Sequence, residues 1–121
     1  MDFFNSLVTR FERFKSIGYT LDDIMEPKTV KDNLELIILS KLSSPKCGID
    51  LINEMSDELG VVISPGTLYP CLHSMNKRRL ISIKRPILEN KTIYTRTKNG
   101  RKQQTKLIKD HKKLLTYLGK K

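Results

Sequence analysis

The chain is 121 residues long, 38% hydrophobic and 30% charged, with a formal net charge of +10. That length fits one domain with one modest core, and no window approaches the ~18 consecutive apolar residues of a membrane span. The two cysteines, Cys47 and Cys71, have neither zinc-type spacing nor a dense framework around them, and read as reduced thiols of a cytoplasmic protein.

Residues 2–17 place Phe3, Phe4, Leu7, Val8, Phe11 and Phe14 at helical spacing behind Asp2 as an N-cap, with Gly18 as the stop. Charges scattered through this segment, and the lack of a small-residue cleavage site, speak against a signal peptide. Its aromatic face is expected to pack against the body or a second subunit, because a free monomer would expose it as a large apolar stripe. Residues 19–31 read as an irregular or briefly helical connector, with Leu21, Ile24 and Met25 touching the core and Pro27 breaking the run. A second helix starts near Asp32, where Asp32-Asn33-Leu34-Glu35 has the form of a capping box. Leu34, Ile37, Ile38 and Leu42 form its apolar face, and Ser43-Ser44-Pro45 ends it. A third helix covers residues 48–59, with Ile49, Ile52, Met55 and Leu59 inward and Gly60 just past its end.

Val61-Val62-Ile63 leads to Ser64-Pro65, a cap followed by proline at the first helical position. The fourth helix, residues 65–78, buries Leu68, Leu72 and Met75, and Pro70 should loosen it beyond the first turn. Two β runs follow, 81–86 and 92–97, joined by a turn at Leu88-Glu89-Asn90-Lys91; Pro86 is tolerated only at an edge or near that turn. The last helix covers 98–118, where Leu107 and Leu114, Ile108 and Leu115, and His111 and Leu118 are each seven apart. Two heptads make no independent coiled coil, but they can dock on another helix or on the mate of a dimer.

The order is thus four helices, a β-hairpin and a helix: a mostly α chain with a small β-hairpin wing (α+β). Residues 48–59 and 65–78 form a helix-turn-helix and the hairpin forms its wing. Residues 1–30 read as an N-terminal packing segment, 31–97 as the winged helix-turn-helix and 98–121 as a basic C-terminal dimerisation helix. The second helix of such a unit fits a major groove about 12 Å wide, and the hairpin tip reaches flanking phosphates or the minor groove. Charge agrees with this. Residues 1–76 carry seven Lys/Arg against eleven Asp/Glu, a net −4, whereas residues 77–121 carry sixteen against Glu89 and Asp110, a net +14. Such a segregated half repels itself unless a polyanion discharges it, as nucleic acid does with release of counterions. The plainer alternative is a solubilising tail.

Ser64-Pro65-Gly66-Thr67-Leu68-Tyr69-Pro70-Cys71-Leu72 resembles the recognition-helix signature S-x-G-T-L-Y-P-x-L of PadR-like transcriptional regulators. The resemblance spans about residues 34–100 and includes Pro45-x-x-Gly48, Leu80-Ile81 and Tyr94-x-x-Thr97-x-x-Gly100. It implies a winged-helix dimer, usually a repressor, with terminal helices at the dimer interface. Cys47, Ile49 and Arg79 stand where that family often has His, Tyr and Gly. The absence of Trp puts in doubt the aromatic ligand cleft of some relatives, and a small-molecule effector stays open.

On this reading Ser64 caps the recognition helix, and Thr67 or His73 reaches base edges. Tyr69 donates to a phosphate, unless it is a partly buried core phenol. Lys77, Arg78, Lys84, Arg85 and Lys91 grip phosphates, contacts that position without specifying sequence. Gly66 is required either by crowding beside Pro70 or by close approach of DNA. Phe3, Phe4, Leu7, Phe11, Phe14, Leu107, His111, Leu114 and Leu118 are expected at a homodimer interface. With two histidines only, no metal site is expected, and no cofactor loop or catalytic constellation is seen. The alternatives are a non-specific architectural DNA-binding protein, a protein-interaction winged helix, and insertion of residues 2–17 into a lipid surface; for that segment, burial in a dimer is preferred.

Overall fold

The computed structural model describes residues 25–88 and 90–120. The expected helix 2–17, with Phe3, Phe4, Leu7, Phe11 and Phe14, lies outside them. The described residues form α1 (Pro27–Asp32), α2 (Leu34–Lys41), β1 (Lys46–Cys47), α3 (Gly48–Leu59), α4 (Pro65–Lys77), β2 (Ile81–Lys84), β3 (Ile93–Arg96) and α5 (Lys98–Gly119). The strands form one antiparallel sheet in the order β1-β3-β2, with Lys46 opposite Tyr94 and Ser82 opposite Thr95.

Helices α2, α3 and α4 meet over a shared core. Ile38, Leu39, Leu51, Met55, Ile63, Leu68, Leu72 and Met75 are buried there, and the sheet closes one side with Ile81 and Tyr94. Each fully buried Leu, Ile or Met side chain contributes about 1.5–3 kcal/mol. Helix α5 crosses α2 and β3, and its start is fixed by Thr97 and Gly100 of the motif that also contains Tyr94. Tyr94 is buried. The Thr97 hydroxyl accepts from the Gly100 N–H at 3.0 Å and lies 2.6 Å from the Arg79 carbonyl, to which it donates. A Cβ at Gly100 would sit 2.0 Å from the Leu80 carbonyl oxygen, so only glycine lets α5 approach that close.

Several local expectations change. Pro27 opens α1 at its first position rather than breaking a run, where its missing N–H costs nothing. The capping box at Asp32 does not form: α1 runs through Asp32, whose carboxylate accepts from Lys28 Nζ at 2.8 Å, and α2 starts after Asn33 without a side-chain cap. Helix α3 has the expected bounds, with Gly60 left-handed at φ 70°, but Ile49 faces outward and is 52% exposed. Leu51 is the buried apolar side chain of that first turn. The cap of α3 is Cys47, whose backbone N–H donates to Asp50 Oδ2 at 3.3 Å. Both hairpin strands are shorter than expected, and the two-residue β1 is an addition. A lysine bridge ties α2 and β1 to α3: Lys41 donates to Glu58 at 2.7 Å, and Lys46 to Glu54 at 3.1 Å. Burial alone would lower the Lys41 pKa, but Glu58 and Glu54 outweigh it and hold the ammonium above its usual range.

Candidate nucleic-acid interface

Helix α4 is delivered to the surface by a tight link. The left-handed Gly60 turns the chain out of α3, and the buried Val61 and Ile63 pin the link to the core. Ser64 then occupies the N-cap: its carbonyl accepts from the N–H groups of Thr67 and Leu68, both at 3.0 Å. Its side chain does not cap as expected but bonds the Thr67 hydroxyl at 3.1 Å. Leu68, Leu72 and Met75 are buried, which fixes the opposite side of the helix outward.

That outward side carries Ser64, Gly66, Tyr69, Pro70, His73, Ser74 and Lys77, all exposed. Pro70 is accommodated because the carbonyl it leaves without a donor belongs to Gly66, which is also on the solvent face. Crowding does not require Gly66: a Cβ there would meet only Ser64 Oγ, at 3.9 Å. Thr67 lies to one flank. It is half-buried and lines a cleft of about 420 Å³ with Asn33, Glu35, Cys71, Leu107 and His111. Pro70 and Ser74 complete the outward stripe at helical spacing, a signal available in the sequence but not used there.

Tyr69 lies on the other flank, 43% exposed. Its ring covers the start of α3 so closely that a Cβ at Gly48 would be 2.5 Å from the phenolic oxygen. Glycine at position 48 leaves the room that the Tyr69 ring occupies. Tyr69, Ile49, Asn90, Lys91, Thr92 and Tyr94 share a cleft of about 300 Å³, so the recognition helix, the start of α3 and the loop end of the hairpin meet at one place. Burial, then the neighbouring Tyr69, pushes the Tyr94 hydroxyl above its ordinary pKa.

Cations surround this face. Lys77, Arg79, Lys84, Arg85 and Lys91 are exposed, and residues 61–88 contain no Asp or Glu. Arg78 is exposed too, but its guanidinium is paired with Glu35 of α2. Arg79 is the residue of interest at the end of α4. Its φ is 62°, and the N–H groups of Arg79 and Leu80 return to the carbonyls of Asn76 and Met75, both at 3.0 Å. This is the double bond of a Schellman ending, whose left-handed position normally takes glycine.

The expected seam on α5 divides. Leu107 is half-buried against the core, and His111 bonds within the chain, with Nε2 2.7 Å from Asn33 Oδ1 and Nδ1 2.8 Å from the Leu107 carbonyl. Leu114 and Leu118 are each 54% exposed. Cys71 is half-buried beside Met75, with Sγ 3.9 Å from Sδ, and burial followed by the Glu35 charge raises its thiol pKa, the reverse of an activated thiolate. Among the described residues no group of three His, Cys, Asp or Glu could hold a metal ion, and no helix is long and apolar enough to cross a membrane.

Comparisons with known proteins bear on this arrangement. Residues 36–106 match the model of the transcriptional regulator PadR-like family. No curated protein matches the chain. Among solved structures, a transcriptional regulator from Clostridium thermocellum is 22% identical with a TM-score of 0.71, covering 80% of this chain and 97% of its own. A PadR family transcriptional regulator from Eggerthella lenta is 21% identical with a TM-score of 0.67, covering 77% and 80%. F93 from STIV, described as a winged-helix DNA-binding protein, is 18% identical with a TM-score of 0.57, covering 74% and 94%. At these identities the likeness establishes the winged-helix fold.

Proposed function

The chain belongs to the PadR-like family of transcriptional regulators, and on that premise we propose that it is a homodimeric, sequence-specific repressor of transcription that binds a palindromic operator in double-stranded DNA. The observation that carries this reading is the outward side of α4: a stripe of small and polar side chains, bordered by cations and without a carboxylate from residue 61 to 88. A small, uncharged surface can come close to base edges, and His73 and Ser74 can exchange hydrogen bonds there. Lys77, Lys84, Arg85 and Lys91 would hold phosphates and set register. Tyr69 would donate to a phosphate beside the start of α3. Open space over Gly66 favours close approach of the duplex as the reason for glycine.

Dimerisation is supported by the end of α5, where Leu114, Leu115, Tyr117 and Leu118 are each more than half exposed. Two recognition helices related by a twofold would read half-sites about 34–36 Å apart. The test is selection of bound duplexes from random DNA, with footprinting and the mass of the complex. Recovery of an inverted repeat bound by two chains is the expected result; a pool that stays random after several rounds would reject specificity. Such a pool would favour the second reading, a non-specific DNA-packing protein, for which the seven cations within α5 against Asp110 alone are the supporting observation.

A further inference from the structure

The hairpin tip carries two apolar side chains that are bare to solvent. Ile87 is 100% exposed and Leu88 98%, whereas Leu115 on α5, the next most exposed large apolar residue described, is at 67%. Strand pairing ends at Lys84 opposite Ile93, so both residues project beyond the sheet. Pro86 precedes them and restricts the chain that presents them. Arg85, Pro86, Ile87, Leu88, Asn90, Lys91 and Thr92 curl around a shallow hollow of about 430 Å³. Lys84, Arg85 and Lys91 are exposed at the stem and make no ion pair among the described residues. The turn contains a single carboxylate in sequence, Glu89.

We propose that Ile87 and Leu88 form a wedge that enters the minor groove of bound duplex DNA and partly unstacks a base step, bending the duplex. The proposal rests on the DNA-binding reading above and adds what the hairpin does there. Three residues, Arg78 to Leu80, join α4 to β2, so a hairpin beside a helix seated in the major groove stands over the adjacent minor groove. Its cations match the phosphates that border that groove. The apolar pair has no hydrogen-bonding group to read base edges; its gain comes from leaving water between unstacked bases, a use to which Ile and Leu are put in other minor-groove proteins. Pyrimidine–purine steps unstack most easily and are the expected site.

The experiment uses the full chain and a duplex recovered by selection from random DNA, end-labelled for energy transfer, with 2-aminopurine placed at successive steps. Wild type should bend the duplex by roughly 20–90° and brighten 2-aminopurine at one flanking step. The variant Ile87→Ser/Leu88→Ser, altered only at exposed positions, should lose both signals and bind about tenfold more weakly, roughly 1.4 kcal/mol, with the salt slope unchanged. Lys91→Ala should do the converse, flattening the salt slope by about one while keeping the unstacking. Tight binding by wild type with a straight duplex and quenched 2-aminopurine overturns the wedge and leaves the regulator reading standing. Failure to bind any DNA overturns both. If the double variant still bends DNA but loses self-association or pelleting with anionic vesicles, the tip serves those contacts and the proposal falls.

Discussion

Helices α4 and α5 each bury one side, but they finish the other side differently. Helix α4 covers its aliphatic residues completely: Leu68, Leu72 and Met75 are at most 1% exposed. Its outward stripe is small and polar until Lys77. Helix α5 is covered only along its first half, through Gly100 and Leu107, and from Leu114 onward its apolar residues are each more than half exposed. Its polar side is rich in cations, with Lys98, Lys102 and Lys106, and Lys109 and Lys113, at four-residue spacing. Each such like-charged pair costs about 0.2–0.5 kcal/mol, and the cations of its first turn oppose the helix dipole. The contrast separates two ways of meeting a polyanion. A surface that discriminates sequence must be shaped to approach bases, whereas a surface that only attracts DNA can be a row of lysines.

The largest way to break this comparison is through the buried sides. Leu72→Ala should cost about 2–5 kcal/mol of stability in a urea titration at any protein concentration. Leu118→Ala should leave dilute protein within about 0.5 kcal/mol of wild type, as for an exposed site, and weaken self-association measured by sedimentation. Equal losses in both variants at all concentrations would mean that α5 is already finished within one chain. The outward sides are contrasted next. His73→Ala should cost about 1–3 kcal/mol of discrimination between a selected site and a mismatched one. Lys109→Ala should leave that ratio unchanged, and a Lys109→Ala variant that lost it would erase the distinction between the two helices.

The sequence carried the parts of the fold that depend on neighbours and hid those that depend on distance. The bounds of α3 were legible because Gly60 ends a clear helical period. The strand at Lys46 and Cys47 was not, because two residues have no period and exist as a strand only through pairing with β3. Ile49 misled because an apolar residue in a first turn can equally face a cleft, here the one beneath Tyr69. The signature around α4 was readable and its exposed residues were largely foreseen, but Thr67 turned to the flank once Leu68 and Leu72 had set the rotation. The Arg78–Glu35 pair joins residues 43 apart. No local pattern contains it, and it changes the meaning of one predicted phosphate contact. Glu35→Gln should release that arginine and steepen the salt dependence of DNA binding by about one; an unchanged slope would leave Arg78 out of the interface.

The smallest expected effect concerns the residue that connects α4 to the hairpin. Arg79 holds φ at 62°, a conformation that costs a side chain bearing Cβ roughly 1–2 kcal/mol and glycine almost none. Glycine also gains freedom in the unfolded chain, so Arg79→Gly should stabilise the protein by a net of only about 0.5–1 kcal/mol. A stabilising change so easily reached points to a use for the guanidinium, since strained residues persist where they serve a site. The same variant should therefore bind duplex DNA more weakly, with a salt slope reduced by about one. Higher stability with unchanged binding would show Arg79 to be a tolerated flaw in the ending of α4, and the cationic border of the recognition helix would then begin at Lys77 and resume only on the hairpin.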